Sequence, residues 1–353
     1  YRTAFQHREN PRKGETGMGT GSEHLSGLSA EGALTAVEKN LRRTAAASAA
    51  VTEKRFAHIR EQAELFSRRL RRETGGADVL RAVLSFDEAV LIYHECLTDP
   101  SSQDVPFGEV NHAEKSFFLR QLGRYDRFYL SKCLAEQSDI HDLKTMVPLI
   151  VGELAEIPSG RDRRVAFLRN RQASRAFERF AKCLGGVSAV YEDNFQSACE
   201  SVYTGETTYA IIPTASTSDG RLNSFYRQME KYDLNIVLSC DVDSDDGENS
   251  TTFALVYRDR LYIETGGVPL YECKITLDRQ TDIADIADAA AYFGATMESA
   301  EALPLMFSGR TNAFDMIFGL KNADAGGFFT YLALEYPQTA AVGIYDRTER
   351  AEP

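Results

Sequence analysis

A run of hydroxyl side chains follows an apolar segment that ends at Pro213. Hydroxyl and backbone N–H groups at the carboxyl end of a strand in a parallel sheet can bind an anionic ligand. The same residue types favour the start of a helix, because they accept hydrogen bonds from its first N–H groups. We keep both interpretations, a ligand loop and a cap for a helix that starts near Asp219. The candidate ligand-binding residues of this run are Ser216, Thr217, Ser218 and Gly220.

Two other polar sets could complete such a site. Thr251 and Thr252 stand at the start of a later apolar run, and Arg169 and Arg171 follow an earlier one. A guanidinium group can hold a carboxylate or phosphate through two parallel hydrogen bonds. The alternative for the arginines is the solvated start of a basic helix. We name these four residues as further ligand-binding candidates.

Other patterns give no metal, cofactor or catalytic site. The acidic run Asp241 to Asn249 has the alternating aspartates of a calcium loop. Its glycine is displaced, however, and Thr252 stands where the bidentate glutamate belongs. We interpret the run as an acidic surface turn. No phosphate loop, dinucleotide fingerprint or Gly-x-Ser-x-Gly occurs, so catalytic residues stay unassigned.

Composition restricts the partners. A formal net charge of −12 argues against a nucleic acid or an anionic membrane surface as the main partner. The six cysteines are scattered without a Cys-x-x-Cys pair, which favours reduced thiols. No apolar run reaches the roughly 18 residues that a membrane helix needs. We expect a cytoplasmic protein.

The first half of the chain reads as helical. Residues 1–29 are polar and glycine-rich and predict a disordered arm. After them, apolar side chains recur at spacings of three and four, which indicates amphipathic helices. These helices are expected over Ala30 to about Arg72, 77–97, 111–137 and 139–155. We predict a helical domain over 30–157.

After Pro158 the periodicity changes. Short apolar runs alternate with helices of about 11 residues, which predicts βαβ units and a mainly parallel sheet over 161–262. The expected strands are Arg164 to Leu168, 187–191, Tyr209 to Ile212, Leu234 to Ser239 and Thr252 to Tyr257, with helices at 172–184, 194–204 and 221–232.

The last segment, 270–353, has its own order. Its pattern is strand, helix, strand, strand, helix, strand, which is a ferredoxin-like βαββαβ unit. The elements are expected at Cys273 to Leu277, 282–293, 296–307, 313–320, 326–336 and 340–345.

Three segments at these positions resemble prephenate dehydratases. The run Pro213 to Gly220 is similar to the family's Pro-Ile-Glu-Asn-Ser-x-x-Gly, and Asn249 to Phe253 is similar to Asn-x-Thr-Arg-Phe. Met297-Glu298-Ser299 resembles the Ile-Glu-Ser of the family's C-terminal ACT domain. The resemblance covers roughly Arg164 to Arg347. It implies a periplasmic-binding-protein-like lobe followed by an ACT-like domain.

Departures from that family pattern bear on activity. Ala215 and Ser216 stand in place of the glutamate and asparagine, and Thr252 in place of the arginine that faces the acidic substrate. The family's second lobe is replaced by the connection Cys240 to Ser250. A site between two lobes cannot form here unless the helical domain or another subunit supplies the opposite wall.

Three functions stay open at this point. The first is a catalytically degenerate, regulatory or ligand-binding protein for a small aromatic or carboxylate ligand. The ACT-like resemblance implies effector contacts at Glu298 and Ser299 and pairing into a homodimer. The alternative is an active enzyme of aromatic amino-acid biosynthesis, of prephenate dehydratase or chorismate mutase type, with the helical domain completing the site. The third is a structural interaction protein without a ligand.

Overall fold

The chain divides into two compact units, Tyr1–Arg55 and Phe56–Pro353. The computed structural model describes residues 30–98, 122–159, 163–245, 248–278, 282–303 and 311–348. The predicted arm 1–29 and the first part of the predicted helix 111–137 lie outside the described residues.

Helices form the described part of the first 159 residues. They are α1 (Ala30–Glu73), α2 (Val79–Ser85), α3 (Ala89–Thr98), α4 (Arg124–Ala135) and α5 (Leu143–Val151). The prediction of one helix over 77–97 is wrong, because the backbone at Phe86 is extended and separates α2 from α3. The apolar spacing runs on through this break, so the pattern did not reveal it.

One sheet crosses the rest of the described chain. Its strands are β1 (Arg164–Leu168), β2 (Ser188–Glu192), β3 (Tyr209–Ser216), β4 (Gly220–Arg221), β5 (Asn235–Asp243), β6 (Ser250–Tyr257), β7 (Val268–Asp278), β8 (Thr296–Leu303), β9 (Thr311–Gly319) and β10 (Ala340–Arg347). The order across it is β2-β1-β3-β6-β5-β10-β7-β9-β8, and β4 pairs with β3.

The lobe's part of the sheet is mixed. Strand β1 is parallel to β2 and β3, but β6 runs antiparallel between β3 and β5. The prediction of a mainly parallel sheet is therefore wrong at this point. The cause is the short connection between β5 and β6, since parallel neighbours need a crossover of a dozen or more residues. No second lobe interrupts β5 and β6.

The sheet continues from the lobe into the C-terminal strands. Strand β10 lies parallel to β5, with Asp346 opposite Leu238 and Arg347 opposite Ser239. On its other side, β10, β7, β9 and β8 are all antiparallel neighbours, and the predicted βαββαβ order is present. The lobe predicted over 161–262 and the domain predicted over 270–353 are therefore joined by backbone hydrogen bonds between β5 and β10.

In the described residues five helices flank the sheet: α6 (Arg171–Leu184), α7 (Phe195–Tyr203), α8 (Asn223–Lys231), α9 (Ile283–Tyr292) and α10 (Ala325–Glu335). Helix α6 packs on one face of the lobe, with Phe180 against Val165 and Leu255. Helices α7 and α8 cover the opposite face, where Met229 meets Leu270 and joins the lobe to the C-terminal strands.

Within Phe56–Pro353, helices α2 to α5 pack on the strands β7 to β10 and the helices α9 and α10, which we call the C-terminal unit. Leu80, Phe128 and Val147 share a core with Ile275 and Phe328. Glu335 on α10 accepts hydrogen bonds of 2.8 Å from the Tyr93 hydroxyl and from the Arg127 guanidinium. These helices therefore cover α10. In the described residues no helix has the length and apolarity to cross a membrane.

Candidate functional site

The hydroxyl-rich segment is a β-hairpin. Strand β3 does not end at Ile212 but continues to Ser216, and β4 returns with Ser216 opposite Gly220. The register shifts between Pro213 and Ala215, where a residue without an N–H group is tolerated. Gly220 has φ +66°, in the left-handed region that favours glycine.

The hairpin's hydroxyl groups bond to the turn itself. Ser216 Oγ lies 3.0 Å from Asp219 Oδ2, and it accepts the Asp219 N–H at 3.0 Å. Ser218 Oγ also donates to Asp219, at 3.0 Å. Thr217 Oγ1 accepts from the Ser250 N–H at 3.0 Å. These contacts fix the shape of the tip. The alternative prediction, a cap for a helix that starts near Asp219, is wrong, because α8 begins at Asn223 and its N-cap residue Leu222 makes no side-chain capping bond.

Thr251 and Thr252 lie next to the hairpin on β6. Thr251 is opposite Ser216, so the structure brings these two candidates together. Thr252 Oγ1 donates to Asp241 Oδ1 at 2.7 Å. Where the family pattern has a cation, this chain has a hydroxyl directed at a carboxylate.

The arginines after β1 contact the acidic segment. Asn170 caps α6 through the Ala173 N–H at 2.8 Å. Arg171 Nη1 lies 2.6 Å from Asp245 Oδ2, and Arg175 Nη2 lies 2.8 Å from Asp245 Oδ1. Asp245 therefore holds both cations. The sequence pattern alone did not indicate that Arg171 and the acidic turn would be in contact.

Arg169 lies apart from this ion pair. Its guanidinium carbon is 5.4 Å from the ring centroid of Tyr191, an exposed residue on β2. This is a cation–π contact near the surface.

A buried charged cluster begins at Arg221, the last residue of the hairpin, and none of its members is among the residues predicted from the sequence. Arg221 Nη2 is 2.7 Å from Glu272 Oε1, and Nη1 is 2.9 Å from Asp315 Oδ1. The guanidinium also lies 3.5 Å from the centroid of the Tyr226 ring. The Tyr345 hydroxyl donates to Glu272 Oε2 at 2.8 Å. We call these five residues the Arg221 cluster.

Burial dominates the electrostatics of this cluster. The Glu272 side chain is 0% exposed and that of Asp315 is 3% exposed. Burial raises the pKa of Glu272, and Arg221 opposes that rise. Burial would lower the pKa of Arg221, but Tyr226, Glu272 and Asp315 raise it above its usual range. The guanidinium stays charged and faces two carboxyl groups.

A sequence signal for this cluster exists. Asp315 interrupts the apolar run Ala313 to Phe318, and charged side chains are almost never fully buried unless they are paired. The pattern could have indicated a buried acid. It could not have named Arg221, which is distant in sequence.

The two ACT-like candidates lie on β8. Glu298 forms a two-point contact with Arg347 of β10, at 3.1 and 3.2 Å. Ser299 follows a register shift and lies opposite Ile317. The Glu298 carboxylate is thus engaged across the sheet. Within the described residues, no group of three or more His, Cys, Asp or Glu side chains is placed to hold a metal ion.

No family model and no curated protein matches this chain. Solved structures are similar to about half of it. A protein described as a novel type of quorum-quenching acylase aligns at 17% identity and a TM-score of 0.41, over 54% of this chain and 97% of that one. Prephenate dehydratase from Streptococcus mutans aligns at 13% identity and 0.41, over 53% and 100%. The enzyme from Arthrobacter aurescens, in complex with L-Phe, aligns at 14% and 0.38, over 54% and 92%.

Proposed function

We propose that the chain is a non-catalytic, ligand-binding regulatory protein related in pattern to prephenate dehydratases. The observation that carries this proposal is the double pairing of Arg171 and Arg175 with Asp245. Cations at the mouth of the lobe would attract an acidic substrate, and here Asp245 neutralises two of the three arginines at that position.

Two further contacts support the proposal. Thr252, at the place of the family's substrate-facing arginine, donates to Asp241. The described helices α2, α4 and α5 pack on the C-terminal unit, with Val147 and Phe328 in one core. This packing gives no support to the alternative in which they form the opposite wall of an active site.

Turnover assays test the non-catalytic part. Purified protein is incubated with prephenate and, separately, with chorismate, and absorbance is followed over time. We expect no change above the uncatalysed rate for either acid. Conversion of either one in proportion to protein concentration would overturn the proposal and favour the enzyme alternative.

We also propose that the chain forms a homodimer through its C-terminal strands. Strand β8 ends the described sheet, and an edge strand presents backbone groups that can pair with another chain. Sedimentation velocity tests this idea. We expect the wild-type chain to sediment as a dimer and Ala302→Lys, which changes an exposed position on β8, to sediment as a monomer. A monomeric wild-type chain would contradict the proposal.

A further inference from the structure

A pocket of about 250 Å³ lies within Phe56–Pro353, between the helices α2, α3 and α5 on one side and the C-terminal unit on the other. Its walls come from α2, α3, α5, β7, α10, β10 and the turns next to them. The lining is mostly apolar and aromatic, with Phe86, Val90 and Ile150 facing Tyr271, Phe329 and Tyr336. The Tyr271 and Phe329 rings meet edge to face, with centroids 5.0 Å apart. Pockets for drug-sized ligands span about 300–1,000 Å³, so this one suits a single ring.

The polar groups at the pocket define the charge of its ligand. The Ser85 and Thr339 hydroxyls both donate to backbone carbonyls, at 2.7 Å. Asp87, in the turn between α2 and α3, adds a carboxylate at the exposed rim. No lysine, arginine or histidine is among the described residues that line the pocket. Among the described lining residues, a cationic ligand therefore has a partner of opposite charge and an anionic ligand has none.

We infer that this pocket binds a small aromatic amine, with the ring among Phe86, Tyr271 and Phe329 and the ammonium group at Asp87. Aromatic walls suit the ring because they bury its apolar faces, and edge-to-face contacts add to that burial. The inference rests on the proposed function, since it gives the ligand-binding protein a site and a ligand class. Such a ligand would contact the helices and the C-terminal unit at once.

Two probes of similar size and opposite charge test the inference. The full chain is titrated with phenethylamine and with phenylacetate, by calorimetry and thermal shift. We expect the amine to bind and to raise the melting temperature with concentration, and the acid to do neither. Asp87→Asn should weaken amine binding by up to about fivefold, the upper value for an ion pair near the surface. Glu88→Gln, an exposed neighbour that does not line the pocket, should not.

A second variant checks the location. Val90→Trp places a ring in the pocket and should abolish amine binding with the circular dichroism spectrum unchanged. Equal binding of both probes, no binding of the amine, or full affinity in Asp87→Asn would each overturn the inference. Turnover of prephenate with intact amine binding would instead remove only the non-catalytic proposal, so the two failures are distinguishable.

Discussion

Arg221 links the hairpin to the C-terminal strands, because its guanidinium contacts Glu272 on β7 and Asp315 on β9. It supplies one positive charge to Glu272 and Asp315, both almost fully buried. Breaking a buried ion pair by removing one partner leaves an uncompensated charge. Arg221→Met should therefore lower the free energy of unfolding by about 3–5 kcal/mol, as measured by urea titration.

A matched control lies on the neighbouring helix. Arg227 on α8 is exposed, so Arg227→Met removes the same charge from the surface. Its expected effect is within about 0.5 kcal/mol. Equal effects of the two substitutions would show that the Arg221 cluster does not stabilise the fold.

Glu272 gives a pH dependence with a defined sign. Burial raises its pKa above 4.5, despite the opposing Arg221, so between pH 4.5 and the raised pKa the folded chain binds more protons at this group than the unfolded chain does. Its contribution to stability is full below pH 4.5 and is lost as pH rises through the raised pKa. Glu272→Gln should reduce that loss, seen in urea titrations at increasing pH. Glu230 is exposed, so Glu230→Gln should leave the pH dependence of the free energy of unfolding unchanged. If Glu272→Gln also leaves that pH dependence unchanged, the assignment to Glu272 is refuted.

At the scale of elements, the hairpin of β3 and β4 depends on the backbone of Gly220. Its φ of +66° costs other residues about 1–2 kcal/mol. No atom lies within 4 Å of an added Cβ, so the cost is conformational. Gly220→Ala should therefore lower the free energy of unfolding by about 1–2 kcal/mol, as measured by thermal unfolding. Gly343→Ala, where the new Cβ would meet only Tyr345 at 3.6 Å, should cost less.

The contact between α6 and the end of β5 gives a prediction about binding. Asp245→Ala should uncover Arg171 and Arg175 and increase the affinity for a dicarboxylate such as malonate, measured by calorimetry. Stability should change by less than about 1 kcal/mol, because these ion pairs are exposed. Asp193→Ala removes an exposed carboxylate after β2 and serves as the control. The same gain in both variants would contradict the specific role of Asp245.

The sequence predicted most elements, because their apolar spacing is clear. The strand β1 was predicted within its observed bounds, Arg164–Leu168. The hairpin was missed because Pro213 looks like the end of a strand, whereas it lies at a register shift inside one. The candidate residues Ser216 and Thr251 lie opposite each other on β3 and β6, and Thr217 accepts from the Ser250 N–H. Both pairings depend on strand register, which a single sequence does not specify.

At the scale of the molecule, the continuous sheet predicts cooperative unfolding. The β5–β10 pairing and the Arg221 cluster both join the lobe to the C-terminal strands. Calorimetry should show the lobe and the C-terminal strands unfolding in one transition, and Arg221→Met should shift that transition as a whole. Two separate transitions, with only one shifted by Arg221→Met, would contradict this expectation.

The central position of β10 has a consequence for synthesis of the protein. Among the described strands it is the last to be made, yet it lies between β5 and β7. A growing chain can pair β5 with β6 and β7 with β9 early, but each half then keeps an uncovered edge until β10 emerges from the ribosome. The nascent protein is therefore most exposed to mispairing just before that strand arrives, so this interval is where we expect it to need a chaperone.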